Sequence, residues 1–339
     1  MIRQYWEQAK HQLADIRLPD IKDRLDFSRE PKVFESFAVL CCFDQHLVLS
    51  SIKANYSMMM VDDCLSIDLP AHLIGDSGVE NPSEVSQIVL DLMDVMGLSS
   101  SPVLLLLSSS KFSHFSFSVD QISSWDLSDM KLRAKSPFLA DETLIDLHPN
   151  DHSLSDDQLI RGVSYANNQM VSSWSNVLQA VGKPVLGISP LYSGLLNWLF
   201  SSSNSLKNTV VCDVEPNCCN LLIKYSLFGS QTFQLPFGTS LYSGQSGRLL
   251  DQFFKRLQSS LDVIKEDQDL EERMSCIISG YGLGDFGPTL MSSLGSWTLL
   301  DDMTPARAQI SNNLKPDELS RHQHLFPQLC LCLSEYLQL

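Results

Sequence analysis

Residues Gly282 to Gly287 read Gly-Leu-Gly-Asp-Phe-Gly, a G-x-G-x-x-G string, with Asp301 about 20 positions further on. In that spacing glycines let the backbone approach a pyrophosphate, whose charge is met by N–H groups at a helix N-terminus. The string follows a strand-like segment and precedes a helix-like one. Its position opposes a dinucleotide site, because fewer than about forty residues follow Asp302 and a doubly wound sheet needs several more strand–helix units. A nucleophile elbow would need Gly-x-Ser-x-Gly, and Gly244-Gln245-Ser246-Gly247 has the wrong spacing. His148 and His152 are four apart, but Pro149 breaks the helix that would align them. His322 and His324 are two apart and fall on different helical faces. Both pairs are expected to be solvated surface histidines. The nine cysteines contain no C-x-x-C pair, so no metal site is expected; they read as reduced thiols serving as small apolar side chains. No catalytic residue emerges from these strings.

The elements that would position these residues alternate between strand and helix. Phe37 to Phe43 is a continuous apolar run, as in a buried strand, and Leu47 to Ile52 suits its hairpin partner. Val85, Ile88, Val89, Leu92, Met93 and Met96 form one stripe of a helix over 83–96, opened by Pro82 and closed by Gly97. Pro102 to Leu107 reads as a buried strand, and Phe115, Phe117 and Val119 alternate with polar residues as in a half-buried one. Helices are expected at 166–181 and 190–200 around a short strand, Pro184 to Ile188. After a polar break at Ser201 to Asn204, strands follow at Thr209 to Asp213, Cys219 to Tyr225 and Gln231 to Pro236. Next come a long helix over 247–264, a strand at Cys276 to Ser279, a glycine loop, a helix near 288–294 and a strand at Trp297 to Leu300. Residues 1–18 have helical spacing around Trp6 and lead into a charged linker. The segment from Pro316 looks helical with an interruption at Pro327. Such alternation in both halves favours α/β layering.

Composition narrows the partners. Of 339 residues, 44% are apolar, enough for one or two cores, and the net charge is −16 with basic residues scattered. Nucleic acid and anionic lipid are therefore disfavoured as direct partners. The longest apolar run, Phe37 to Phe43, is too short to span a bilayer, and the charged N-terminus does not suit a signal peptide.

Three strings, in order and spacing, resemble the actin-like ATPase superfamily, in the form of the PilM proteins of type IV pilus assembly and more distantly FtsA of cell division. Asp213 to Lys224 resembles the second phosphate loop; Phe254 to Asp262 resembles the family's long helix; Ile277 to Gly282, with the segments up to Asp302, resembles the adenine-side glycine loop. The resemblance covers about Phe37 to Asp302. It departs from the family where phosphate would be held. The first loop, Val39 to Asp44, lacks the in-strand Asp for hydrated magnesium and the Gly that admits phosphate. In the second loop Glu215 and Pro216 replace a Gly and its neighbour, adding a repelling carboxylate and removing an N–H donor. That turn is expected to be exposed. The segment between Pro236 and the long helix looks trimmed.

The resemblance implies an α/β, actin-like (ribonuclease H-like) two-domain fold with a small inserted subdomain. Its expected parts are an N-terminal helix and linker at 1–35, a first domain at 36–204 with the insertion at about 112–159, a second domain at 205–315, and a C-terminal helical tail at 316–339. It also implies a cytoplasmic scaffold without ATP hydrolysis, peripheral to the inner membrane through a PilN-like bitopic protein, with no nucleic acid partner. The alternative is an active actin-like ATPase or sugar-kinase-like enzyme. No cofactor is expected beyond residual ATP, for which Asp213, Gly280 and Gly282 are the candidate contacts. Phe115, Phe117 and Val119 are the candidate partner-binding residues in the insertion, one wall of a peptide groove.

Overall fold

The computed structural model describes residues 35–55, 58–75, 77–118, 136, 143–155, 158–201, 208–225, 229–242, 247–267, 274–290, 294–300 and 308–337. The N-terminal helix expected around Trp6, as well as Val119 and Asp301, lies outside them.

The continuous apolar run becomes β1 (Glu35–Phe43), whose alternate residues enter two different cores. Phe37, Val39, Cys41 and Phe43 face one, and Ala38, Leu40 and Cys42 face the other. A strand covered on both faces needs no polar alternation. A turn at Asp44, with φ of 49°, returns the chain into β2 (His46–Asn55), and β3 (Met58–Asp68) continues the meander. Asp is one of the few residues that tolerate that left-handed conformation. β4 (Ile74–Gly75) and β5 (Gly78–Val79) form a small hairpin before α1 (Pro82–Val95), whose first turn is capped by the Asn81 side chain. β6 (Val103–Leu107) then lies parallel to β1, and β10 (Val185–Pro190) parallel to β6. Between them come β7 (Phe112–Ser118), β8 (Thr143–Ser155), β9 (Gln158–Asn167) and α2 (Asn168–Val181).

After α3 (Ser193–Ser201) the plan repeats. β11 (Thr209–Val214), β12 (Cys219–Tyr225) and β13 (Gly229–Leu235) form a second antiparallel meander. α4 (Gly247–Asp267) follows, then β14 (Ser275–Ser279) parallel to β11 and β15 (Trp297–Leu299) parallel to β14. The first sheet runs β10-β6-β1-β2-β3 with β16 (Ala308–Ile310) added to its edge. The second runs β15-β14-β11-β12-β13. Each lobe is thus the same five-strand unit: three antiparallel strands followed by two parallel ones.

Three placements differ from the sequence expectations. The insertion does not stand apart as a wall of the first domain, because β7, β9 and β8 extend the second sheet beyond β13. The seam is fixed by buried His114, whose Nδ1 meets Ser164 Oγ at 3.2 Å and whose Nε2 meets Ser230 Oγ at 3.1 Å. The segment after Gly280, expected as a glycine loop, is a 3₁₀ helix over Tyr281–Thr289; Leu290 is α-helical, and residues 291–293 of the helix expected near 288–294 lie outside the described residues. The C-terminal segment is not a tail. α5 (Pro316–His322) and α6 (Phe326–Leu337) put Leu325, Phe326, Leu329, Leu333 and Leu337 into the core beneath the first sheet. Pro327 falls in the first turn of α6, where a missing N–H costs nothing, and so starts a helix instead of interrupting one.

α6 packs closely on α3 because Gly194 lies against the backbone of Leu331 and Cys332. A Cβ there would overlap that backbone. Gly194→Ala is therefore expected to destabilise the fold by about 1–3 kcal/mol, the range for overpacking a filled core. Urea unfolding measures it; an unchanged midpoint would mean that the two helices separate at little cost.

Candidate functional site

The two meanders place their first turns opposite each other. β1 ends at the Asp44 turn and β11 ends at the turn Glu215–Cys218. The segment leaving β6, Ser108 to Lys111, and the segment leaving β14, Gly280 to Tyr281, complete the cleft between the lobes.

Two carboxyl groups occupy its floor, and both are buried. Asp213 Oδ2 accepts from Ser109 Oγ at 2.6 Å, and Oδ1 accepts from Gln328 Nε2 at 3.1 Å. Glu215 Oε1 accepts from the Ser109 backbone N–H at 2.9 Å and from Asn220 Nδ2 at 3.1 Å, while Oε2 is bonded to Ser108 Oγ. Ser109 therefore holds both carboxyls, one by its hydroxyl and one by its backbone. The exposed turn expected around Glu215 is corrected: Glu215 crosses the cleft and ties the second lobe to the first. Among the described residues no Lys, Arg or His bonds to either carboxyl. Burial raises the Asp213 pKa above the ordinary carboxyl range, and burial together with the Asp213 charge raises that of Glu215 to about 8.

The glycine loop packs on the same floor. Gly280, with φ of +122°, lies against the Val214 backbone and Asp213 Oδ1, where any Cβ would collide. At Gly282 a Cβ would crowd Thr239 Oγ1 and the Glu215 carbonyl. The Gly280 N–H donates to the His324 carbonyl at 3.1 Å, and Ser279 Oγ donates to the same oxygen at 2.9 Å. The Tyr281 ring is stacked between Phe43 at 4.9 Å and His322 at 5.3 Å. His322 is fully buried and its Nε2 meets Glu318 Oε2 at 2.8 Å; His324 is buried as well. The surface placement expected for this pair is thus corrected, since α5 folds back over the glycine loop. At the rim, Asn217 Nδ2 donates to Asp44 Oδ2 at 3.0 Å, and Lys111 lies 3.5 Å from the other Asp44 oxygen.

Of the residues singled out from sequence, Asp213, Gly280 and Gly282 converge in this cleft, engaged by neighbouring protein atoms. Phe115 and Phe117 lie apart on β7, opposite Val163 and Arg161 of β9. Phe115 is half-buried and its ring stacks on Tyr165 at 5.7 Å. Sequence reasoning missed Ser108, Ser109, Tyr281 and Gln328. The serine run after the leucines of β6 was the available signal. All nine cysteines are free and buried.

The repeated five-strand unit, with a cleft between its two copies, defines the actin-like (ribonuclease H-like) fold. Among solved structures the chain is similar to that of the PilM-PilN type IV pilus biogenesis complex, with a TM-score of 0.59 and 14% identity over 91% of this chain and 99% of that one. It is also similar to the ethanolamine utilization protein EutJ from Carboxydothermus hydrogenoformans, with a TM-score of 0.43 and 10% identity over 88% of this chain and 91% of that one. A third similar structure is the cytoplasmic domain of EpsL, an inner membrane component of the type II secretion system of Vibrio cholerae. There the TM-score is 0.45 and the identity 10% over 88% of this chain and 95% of that one. No family model and no curated protein matches the sequence. At these identities the likeness is one of fold.

Replacing Glu215 by Gly and Pro216 by Ala would restore a more phosphate-friendly loop on paper. In this cleft it strips partners from the Ser109 N–H and Asn220. Each buried donor left unsatisfied costs about 1–3 kcal/mol, so the double variant is expected to lose several kcal/mol of stability in chemical denaturation. A midpoint equal to that of the parent protein would show the turn to be unconstrained.

Proposed function

We propose that this chain is an actin-fold adaptor that does not hydrolyse ATP. On this reading it works in the cytoplasm, at the inner membrane face of a type IV pilus or related secretion machine, and binds the cytoplasmic segment of a PilN-like bitopic protein. The observation that carries the proposal is the filled cleft. Glu215 and Ser109 join the lobes where phosphate would have to enter, and Tyr281 stacks across the mouth of the glycine loop. Phosphoryl transfer depends on cationic or N–H groups aimed at the transferring phosphate, and this floor offers two buried carboxyls instead. Asp213, Gly280 and Gly282, the contacts that residual ATP would use, are committed to internal packing.

What supports the pilus setting is the fold-level similarity to the PilM-PilN complex over nearly all of both chains. Among the described residues no helix is long and apolar enough to cross a membrane, and on this proposal the partner supplies the membrane address. The β7–β9 extension, with Phe115 and Phe117, is the proposed wall for the partner's segment, and Val119, which follows β7 in the sequence, is the third proposed contact. Deleting 112–159 would also remove β7 and expose the edge of β13, so point variants at these positions are the cleaner probes.

A ligand present at a hundred times its dissociation constant adds about 2.7 kcal/mol of stability. Millimolar Mg–ATP is expected to leave the melting temperature unchanged and to release no phosphate; a clear rise or turnover would favour the ATPase reading. In calorimetry a peptide copying the cytoplasmic segment of a neighbouring bitopic protein is expected to bind, and Phe117→Asp to weaken it at least tenfold. Equal binding by the variant would move the recruiting surface elsewhere.

A further inference from the structure

The mutual placement of Asp213 and Glu215 has a second consequence. Two fully buried carboxyls share one residue, Ser109, and among the described residues no cationic side chain bonds to either of them. The groups packed around them are neutral or acidic. β1 supplies Cys41, Cys42 and, at its end, Asp44; β12 and the turn before it supply Asn220, Cys218 and Cys219; α6 supplies Gln328. The nearest cation at the rim, Lys111, pairs with Asp44. Two adjacent anions in such a site are unfavourable, because burial and mutual repulsion both oppose charge.

We propose that the buried pair Asp213 and Glu215 holds a single proton, carried by Glu215, as a clasp between the lobes, and that removing this proton to solvent base opens the cleft.

The hydrogen-bond network accommodates the proton. Ser108 Oγ and Ser110 Oγ lie 2.6 Å apart, and either can be the donor. A protonated Glu215 Oε2 donates to Ser108 Oγ, which also accepts from the Ser110 N–H at 3.2 Å and passes its own hydrogen to Ser110 Oγ. The Glu215 O–H, the Ser108 O–H and the Ser110 N–H each have an acceptor in that chain, while Oε1 keeps the bonds from the Ser109 N–H and Asn220. Because the Ser108–Lys111 segment belongs to the first lobe and Glu215 to the second, the proton sits in the contact between them.

The sign follows from the raised carboxyl pKa in the closed form. Closure is fully favoured below the pKa of the solvated groups and is lost as pH rises through the closed-state value. Between those two values closing binds one proton that the open form lacks, so the opening equilibrium constant rises about tenfold per pH unit there and levels off above the closed-state value. The clasp is a property of the cleft alone and does not depend on the adaptor role.

Hydrogen exchange at the Ser109 amide reads the opening directly. Glu215→Gln keeps the shape and donates to Ser108 as the protonated acid does, so it serves as the non-titrating reference. With both proteins compared at each pH from about 5 to about 9, the ratio of wild-type to variant exchange is expected to climb by up to about tenfold per unit below the closed-state value and to level off above it. A flat ratio overturns the proposal. If Glu215→Gln does not fold, infrared titration of the wild-type protein decides. A buried protonated carboxyl band that persists at neutral pH and disappears on raising the pH supports the clasp, and its absence at neutral pH refutes it.

Discussion

The arrangement of the cleft depends on Ser109 reaching both Asp213 and Glu215. Its hydroxyl and its backbone N–H satisfy two carboxyls at the end of one strand, β11, of the opposite lobe. Once those bonds form, the segment leaving β6 and the turn leaving β11 are in direct contact. The rest of the cleft is consistent with that closure. Gly280 and Gly282 bring the glycine loop down onto the same turn, and Tyr281 bridges from there to Phe43 of the first lobe.

The C-terminal helices make the closure a property of the whole chain. α6 contributes Leu329, Leu333 and Leu337 to the first lobe's core and sends Gln328 to Asp213. The loop before it receives hydrogen bonds from Ser279 and Gly280 of the second lobe. Separating the lobes would therefore disturb the packing beneath the first sheet as well as the polar contacts in the cleft. Buried carboxyls are costly unless they are hydrogen-bonded, and here each of the four carboxyl oxygens has a partner.

Much of the scaffold was legible in the sequence because its strands are covered on both faces and its helices carry one apolar stripe. β1, β6, α1 and α2 lie within about two residues of where their patterns placed them. β3 escaped because Met58 to Asp68 is partly exposed along its length and carries Asp62 and Asp63 in mid-strand. β8 and β9 escaped because Pro149, polar residues and irregular register obscure the alternation. At the site, Asp213, Gly280 and Gly282 were found by their resemblance to a nucleotide-binding pattern, while their partners were not. Ser108, Ser109 and Gln328 lie more than a hundred positions from Asp213 in sequence, and no local periodicity reports a contact across two lobes. Glu215 was read as an exposed repelling charge for the same reason: its burial is decided by the other lobe. His322 likewise looked like a surface residue until α5 folded back onto Tyr281.

The central claim is that the cleft is closed by the protein's own side chains and stays closed in the presence of nucleotide. Because the native cysteines are buried, spin labels can be placed selectively at exposed Val95 of α1 and Val263 of α4, one on each lobe, through Val95→Cys and Val263→Cys. Electron–electron double resonance at neutral pH should give a single narrow distance distribution that is the same with and without saturating Mg–ATP. A broad distribution, or a shift on adding Mg–ATP, would contradict a closed, nucleotide-independent cleft.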